Sequence, residues 1–123
     1  AVRPHNSGHA TIEGCATSQF TNHLRAVLDW PLGPTTMLAG CAVTVNVLGV
    51  DGSDVAARVP AALAVEGARV HLYGKASRPG RKIGHVTVLG QDPDVALAAA
   101  RRAAAALTAT GGNSTGGAAT GGR

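Results

Sequence analysis

Arg69–Gly90, RVHLYGKASRPGRKIGHVTVLG, is the stretch whose reading decides the fold. Val70 and Leu72 alternate with Arg69, His71 and Tyr73, so residues 69–73 read as a strand with one apolar side. Ile83 to Leu89 reads as a second strand. The segment between them, 74–82, is too rich in turn residues to continue either one. The pattern predicts a hairpin with a long basic loop at its tip.

Outward from this hairpin, Cys41–Gly49 (CAVTVNVLG) places Val43, Val45 and Val47 on one face and predicts another strand. Downstream, Asp92 suits a helix N-cap and Pro93 a first helical position, and residues 94–108 form a helix on propensity alone. Residues 54–64 read as a short helix whose second half is weakened by Pro60. Upstream, Thr17-Ser18 offers an N-cap for a helix near 18–29. Phe20, Leu24, Val27 and Leu28 line one face of it, His23 and Arg25 lie opposite, and Pro31 and Gly33 end it. Trp30 reads as a packing plug. Residues 1–16 read as loop or irregular strand held by Pro4, Gly8 and Gly14, 31–40 as a linker and internal boundary, and 110–123 as a disordered Gly-rich tail. The expected fold class is α+β: a first segment over 1–30, then a small β-rich domain over 41–109 with a closing helix.

The composition bounds what such a chain can be. Its 123 residues make at most one small domain. Hydrophobic residues are 45% of the total, yet Phe, Trp and Tyr occur once each, so the core must be aliphatic and rich in the 24 alanines. No run of about 18 apolar residues exists for a membrane helix, and residues 1–5 have no apolar signal region. Cys15 and Cys41 lack metal-site spacing and are expected as reduced thiols. Eleven Lys and Arg against seven Asp and Glu give +4, and five of the cations fall in 69–82 without an acidic residue among them. Such a cluster attracts anions, either the phosphate of a small ligand or a nucleic-acid backbone. Nucleic acid fits less well, since no aromatic residues are interleaved for base stacking.

Two segments are dense in chemically capable side chains. The first is Arg3-Pro4-His5-Asn6-Ser7-Gly8-His9, followed by Thr11 and Glu13. Arg offers a planar fork for phosphate or carboxylate, His a proton or hydrogen bond near neutral pH, and Asn a neutral donor and acceptor. The second is Lys75-Ala76-Ser77-Arg78-Pro79-Gly80-Arg81-Lys82, ending in Gly84-His85. Its four cations repel one another unless an anion sits between them, and the Pro-Gly turn limits how far Arg78 and Arg81 can separate. The residues alone leave a solvated loop and a ligand site as alternatives for both segments. His23 and His71 read as outward-facing polar positions without a role. Glu13 and Glu66 read as isolated, so no paired carboxylates and no metal ligands are expected.

Together RPHNSGH (3–9), TIEGCATSQFTNHLRAVLDWPLG (11–33) and HLYGKASRPGRKIGHVTVLG (71–90) resemble the C-terminal third of the 5-(carboxyamino)imidazole ribonucleotide synthase family, ATP-grasp ligases of de novo purine biosynthesis. The likeness runs from residue 2 to about 108. It implies that residues 1–30 are a remnant of an ATP-grasp domain. It also implies a cytoplasmic enzyme, homodimeric at full length, that uses ATP, magnesium and bicarbonate to carboxylate 5-aminoimidazole ribonucleotide. On that resemblance Lys75 and Arg81, with Arg78 beside them, hold the ribonucleotide phosphate, and Arg3, His5 and Asn6 face the reacting groups as catalytic residues. Most ATP and magnesium ligands of the family lie upstream of the matched segment, so this chain alone is expected to be inactive. Ala10 stands where the family commonly has Trp, and the Gly-rich tail matches nothing in the family. A non-catalytic anion-binding module and a piece of the glycinamide ribonucleotide-formylating branch are the alternatives.

Overall fold

The computed structural model describes residues 3–52 and 54–109; the expectation for the 110–123 tail lies outside the described residues. Three strands form one antiparallel sheet: β1 (Cys41–Leu48), β2 (Arg69–Leu72) and β3 (Lys82–Gly90), in the order β1-β3-β2. The hairpin of β2 and β3 is present, with Val70 opposite Val86 and His71 opposite His85. On the other side Val43, Val45 and Val47 face Val88, Val86 and Gly84. Directly opposed residues share a face, so these valines make one apolar surface. Gly84 is required in the central strand, because a Cβ there would collide with the His71 carbonyl.

Helix α4 (Pro93–Thr108) covers the apolar surface. The Asp92 carboxylate caps it, accepting from the backbone N–H groups of Asp94 and Val95. Ala96, Ala99, Ala100, Ala103, Ala104 and Leu107 are its buried stripe, at the spacing of one helix face. They share a core with Val47, Val55, Ala62, Ile83, Val86 and Val88. Helix α3 (Val59–Leu63) packs beside α4. Pro60 does not weaken it: a 3-10 turn over Ala56–Arg58 precedes α3, so the proline falls in the first turn of the new helix, where no N–H partner is lost.

The N-terminal part departs from a loop reading. Asn6–His9 is a 3-10 turn and Ala10–Gly14 is helix α1, which packs on β1 and β3. Glycines at 8 and 14 suggested a loop, but both are buried close contacts: a Cβ on Gly14 would meet that of Ala42. Helix α2 (Gln19–Val27) starts where expected, with the Ser18 hydroxyl accepting from the Thr21 N–H at 3.0 Å. Its end is set by Asp29 rather than by Pro31 or Gly33. Asp29 is left-handed (φ 54°), its N–H reaches the Ala26 carbonyl, and that of Trp30 reaches the Arg25 carbonyl, a Schellman closure. The 31–40 segment is pinned: the Asn22 side-chain amide donates to the Gly33 carbonyl and accepts from its N–H, and Cys15 bridges to Met37. Among the described residues nothing covers Trp30. It is 62% exposed, as are most of Leu24, Val27 and Leu28, the apolar face of α2.

Candidate functional site

The second face of the sheet carries Thr44, Asn46, Arg69, His71, His85 and Thr87, by the same register that puts the valines on the first. A strand alternation predicts such a polar face toward water. Here α1 lies over it instead. Thr87 and Thr44 bond through their hydroxyls at 2.9 Å. His85 is only 2% exposed.

Four rings stack in a row above β3: Phe20, His9, His85 and His71. His9 and His85 are 4.2 Å apart between centroids and 10° from parallel, and His85 and His71 are 4.5 Å apart at 17°. The Glu13 carboxylate of α1 bonds His71 Nε2 at the far end of the row, an ion pair when the imidazole is protonated. Alongside, the Tyr73 hydroxyl bonds His85 Nδ1 at 2.7 Å and, more weakly, His9 Nδ1 at 3.4 Å. His71 and Glu13 are therefore neither outward-facing nor isolated: burial of the second sheet face brings them together across 58 residues of sequence.

Burial favours the uncharged imidazole at His85 and His9. His85 is pulled down to about 4, chiefly by loss of solvent, then by His9 and His71, with Glu13 opposing. His9 lies below the usual imidazole range, first through burial and then through His71, His5 and Lys82. Burial also raises Tyr73. The phenol thus stays a hydroxyl, able to donate to one imidazole and accept from the other.

The first motif is anchored by this row. His9 ends the 3-10 turn that begins at Asn6, and the turn is capped by His5, whose Nδ1 accepts from the Ser7 N–H at 3.3 Å. A backbone N–H can only donate, so the proton of neutral His5 sits on Nε2. Arg3, His5 and Asn6 are exposed.

The basic loop leaves the same row from Tyr73. Lys75 Nζ sits 5.5 Å from the centre of the Tyr73 ring, a cation–π distance. Arg78 to Arg81 closes a turn, the Arg81 N–H donating to the Arg78 carbonyl at 3.0 Å; Pro79 and left-handed Gly80 (φ 73°) give it type II geometry. The loop is not a free tip. The Gly49 N–H donates to the Arg81 carbonyl and the Gly80 N–H to the Gly49 carbonyl, while the Ser77 hydroxyl donates to the Val50 carbonyl and accepts from its N–H. Gly49 must lack a side chain, since a Cβ would meet the Arg78 backbone at 2.5 to 2.7 Å. Lys75, Arg78, Arg81 and Lys82 all remain exposed, and among the described residues none of them is paired with a carboxylate.

The structure therefore links the two motifs through His9, Tyr73 and His85, with Lys82 near enough to act on His9. No hydrogen bond or ion pair among the described residues joins the side chains of Arg3, His5 or Asn6 to those of Lys75, Arg78 or Arg81. His9, Glu13, His71, Tyr73 and His85 were the residues that sequence reasoning left without a role. The signal for two of them was available: a hairpin register that puts His71 opposite His85. Among the described residues no group of three or more His, Cys, Asp or Glu can hold a metal ion.

Residues 42–99 match the family described as the phosphoribosylaminoimidazole carboxylase C-terminal domain. The chain is 52% identical over 103 residues to the N5-carboxyaminoimidazole ribonucleotide synthase of Mycobacterium tuberculosis strain H37Rv, a match covering 75% of this chain and 22% of that protein. The chain thus spans about a fifth of the length of such curated relatives. Among solved structures it resembles the Thermotoga maritima N5-carboxyaminoimidazole ribonucleotide synthetase (48% identity, TM-score 0.73, 85% of this chain and 30% of that one). It also resembles the Aspergillus clavatus N5-carboxyaminoimidazole synthase in complex with ADP and 5-aminoimidazole ribonucleotide (38% identity, TM-score 0.73, 85% and 29%).

Proposed function

We propose, from the premise that the chain belongs to the N5-carboxyaminoimidazole ribonucleotide synthase family and corresponds to its C-terminal part, that it supplies the ribonucleotide-phosphate site of an ATP-dependent ligase. That ligase carboxylates 5-aminoimidazole ribonucleotide with bicarbonate in purine biosynthesis. The observation that carries the reading is the clasped basic loop: four exposed cations, none paired with a carboxylate among the described residues, held at one end by the Gly49–Val50 backbone and at the other by Tyr73. Fixing the loop before a phosphate arrives lowers the ordering cost of binding it. Lys75 and Arg81 hold the phosphate, with Arg78 beside them at the turn. Arg3, His5 and Asn6, on the segment anchored through His9, face the reacting end of the ribonucleotide, where an Arg fork stabilises charge on a transferring phosphoryl group.

Among the described residues no group of three or more His, Cys, Asp or Glu could hold a metal ion, so none of them is assigned to magnesium. ATP use is supported by the Aspergillus clavatus relative solved with ATP. The exposed apolar face of α2 supports reading residues 1–30 as part of an ATP-grasp domain continued elsewhere in the enzyme. Family membership supports reading the complete enzyme as a cytoplasmic homodimer. No helix among the described residues is long and apolar enough to cross a membrane.

In the complete enzyme, Arg81→Ala is expected to raise the KM for 5-aminoimidazole ribonucleotide about ten- to a hundredfold, the loss of one charge-assisted bond worth about 1.5–3 kcal/mol. The KM for ATP should stay near its original value. Steady-state kinetics with each substrate varied in turn decide the matter; two unchanged constants sink the phosphate-site assignment.

A further inference from the structure

The ring row does more than fill space. An alanine-rich core could have covered this sheet face with small apolar residues, as it does the other. Instead a buried imidazole, His85, is packed among two half-buried ones and a half-buried phenol where the two motifs approach each other. His85 sits in the middle of the row, stacked on His9 on one side and His71 on the other, and Tyr73 bonds its Nδ1. His9 belongs to the turn that displays His5 and Asn6, and Tyr73 immediately precedes Gly74-Lys75 at the root of the basic loop. A shift of His85 therefore moves both segments.

We propose that His85 and Tyr73 are positioning residues for the ribonucleotide site, setting the Asn6–His9 turn at a fixed separation from the 74–82 loop so that both ends of one ribonucleotide are met at once. The inference rests on the phosphate-site reading above and adds to it the element that sets the span. The Tyr73 hydroxyl is suited to the task, because it bonds imidazoles of both segments and its ring lies under Lys75 Nζ. Glu13 on His71, and His5 and Lys82 near His9, are the other ionisable groups around the row. Stacked imidazoles fix a ring plane as well as a distance, which aliphatic packing does not.

The test uses the full chain, labelled with nitrogen-15 and titrated with 5-aminoimidazole ribonucleotide. Amides of residues 5–9 and of 74–82 are expected to shift on one common isotherm. In Tyr73→Phe, which keeps the ring and the stack, and in His85→Phe, the two sets should separate and the affinity should fall about tenfold, the loss of one hydrogen bond's worth of alignment. His85→Asn, whose amide can take the place of Nδ1, should recover the common isotherm. Should Tyr73→Phe and His85→Phe both titrate like the parent chain, on one isotherm with unchanged affinity, the positioning role is overturned and the phosphate site survives. If the parent chain shifts neither segment and Arg81→Ala is indistinguishable from it, the phosphate-site reading fails and takes the positioning role with it.

Discussion

The two faces of one three-stranded sheet are buried by opposite means. Under α4, valines meet alanines: Val86, Val88 and Val47 against Ala96, Ala100, Ala103 and Leu107. Under α1, the polar side chains that the register turns inward are held by specific partners: Thr87 by Thr44, His85 by Tyr73 through Nδ1, and His71 by Glu13, while among the described residues His85 Nε2 and Glu13 Oε2 are buried without one. Apolar burial is nondirectional and accepts many sequences of the right volume. Polar burial is favourable only when donors and acceptors are matched, so it admits few arrangements and holds them closely. The first face stabilises the domain; the second fixes where two motifs lie.

The contrast can be broken from either side. Leu107 is fully buried against the sheet, and Leu107→Ala should cost about 3–4 kcal/mol through lost transfer energy and the cavity left behind. Urea unfolding should show a large fall in midpoint; a fall below about 1 kcal/mol would mean that the alanine face is not the main source of stability.

Acid should act on the second face through His85. His85 titrates near 4 when folded and at 6.5 when unfolded. Because its folded value is depressed, its share of stability is complete above pH 6.5 and is lost as the pH falls toward and through 4. The full shift is worth on the order of 3 kcal/mol, and His9 adds in the same direction. Urea midpoints measured from pH 7.5 to 4 should therefore fall more steeply for the parent chain than for His85→Phe. Parallel slopes would show that His85 is not held uncharged by the fold.

The smallest effect sharpens the distinction between matched and unmatched polar burial. Thr87→Val leaves the Thr44 hydroxyl without its partner and should cost about 1 kcal/mol, whereas Thr44→Val with Thr87→Val removes both groups and should recover most of it. A double-mutant cycle showing simple addition would argue that the two hydroxyls never depended on each other.

Much of the first face was legible in the chain. Alternation at 43–47, 70–72 and 83–89 marks the strands, and Asp92-Pro93 marks the start of α4, because these are local patterns with local causes. The Lys75–Lys82 cluster was equally legible as an anion-seeking loop, since charge density and a Pro-Gly turn are written in consecutive residues. Less could be read where the partner is far away. Pro60 looked like a breaker because nothing nearby says that a new helix starts one residue before it, and Gly8 and Gly14 looked like turns when they mark close packing. The Trp30 side chain, ordinarily a core residue, found no cover among the described residues.

Local pattern was enough for the α+β class, the hairpin, the closing helix and the place of the two polar motifs, and the likeness of those motifs to a ligase family pointed to a phosphorylated ribonucleotide. It took long-range packing to bring His71 to Glu13, to link the motifs through His9, His85 and Tyr73, and to clasp the basic loop to Gly49 and Val50. The reason is physical. Periodicity tells which side of a strand a residue faces, but whether that side meets water or a helix depends on how segments about 60 residues apart pack, and that decides whether a histidine is solvated and ordinary or buried, neutral and fixed.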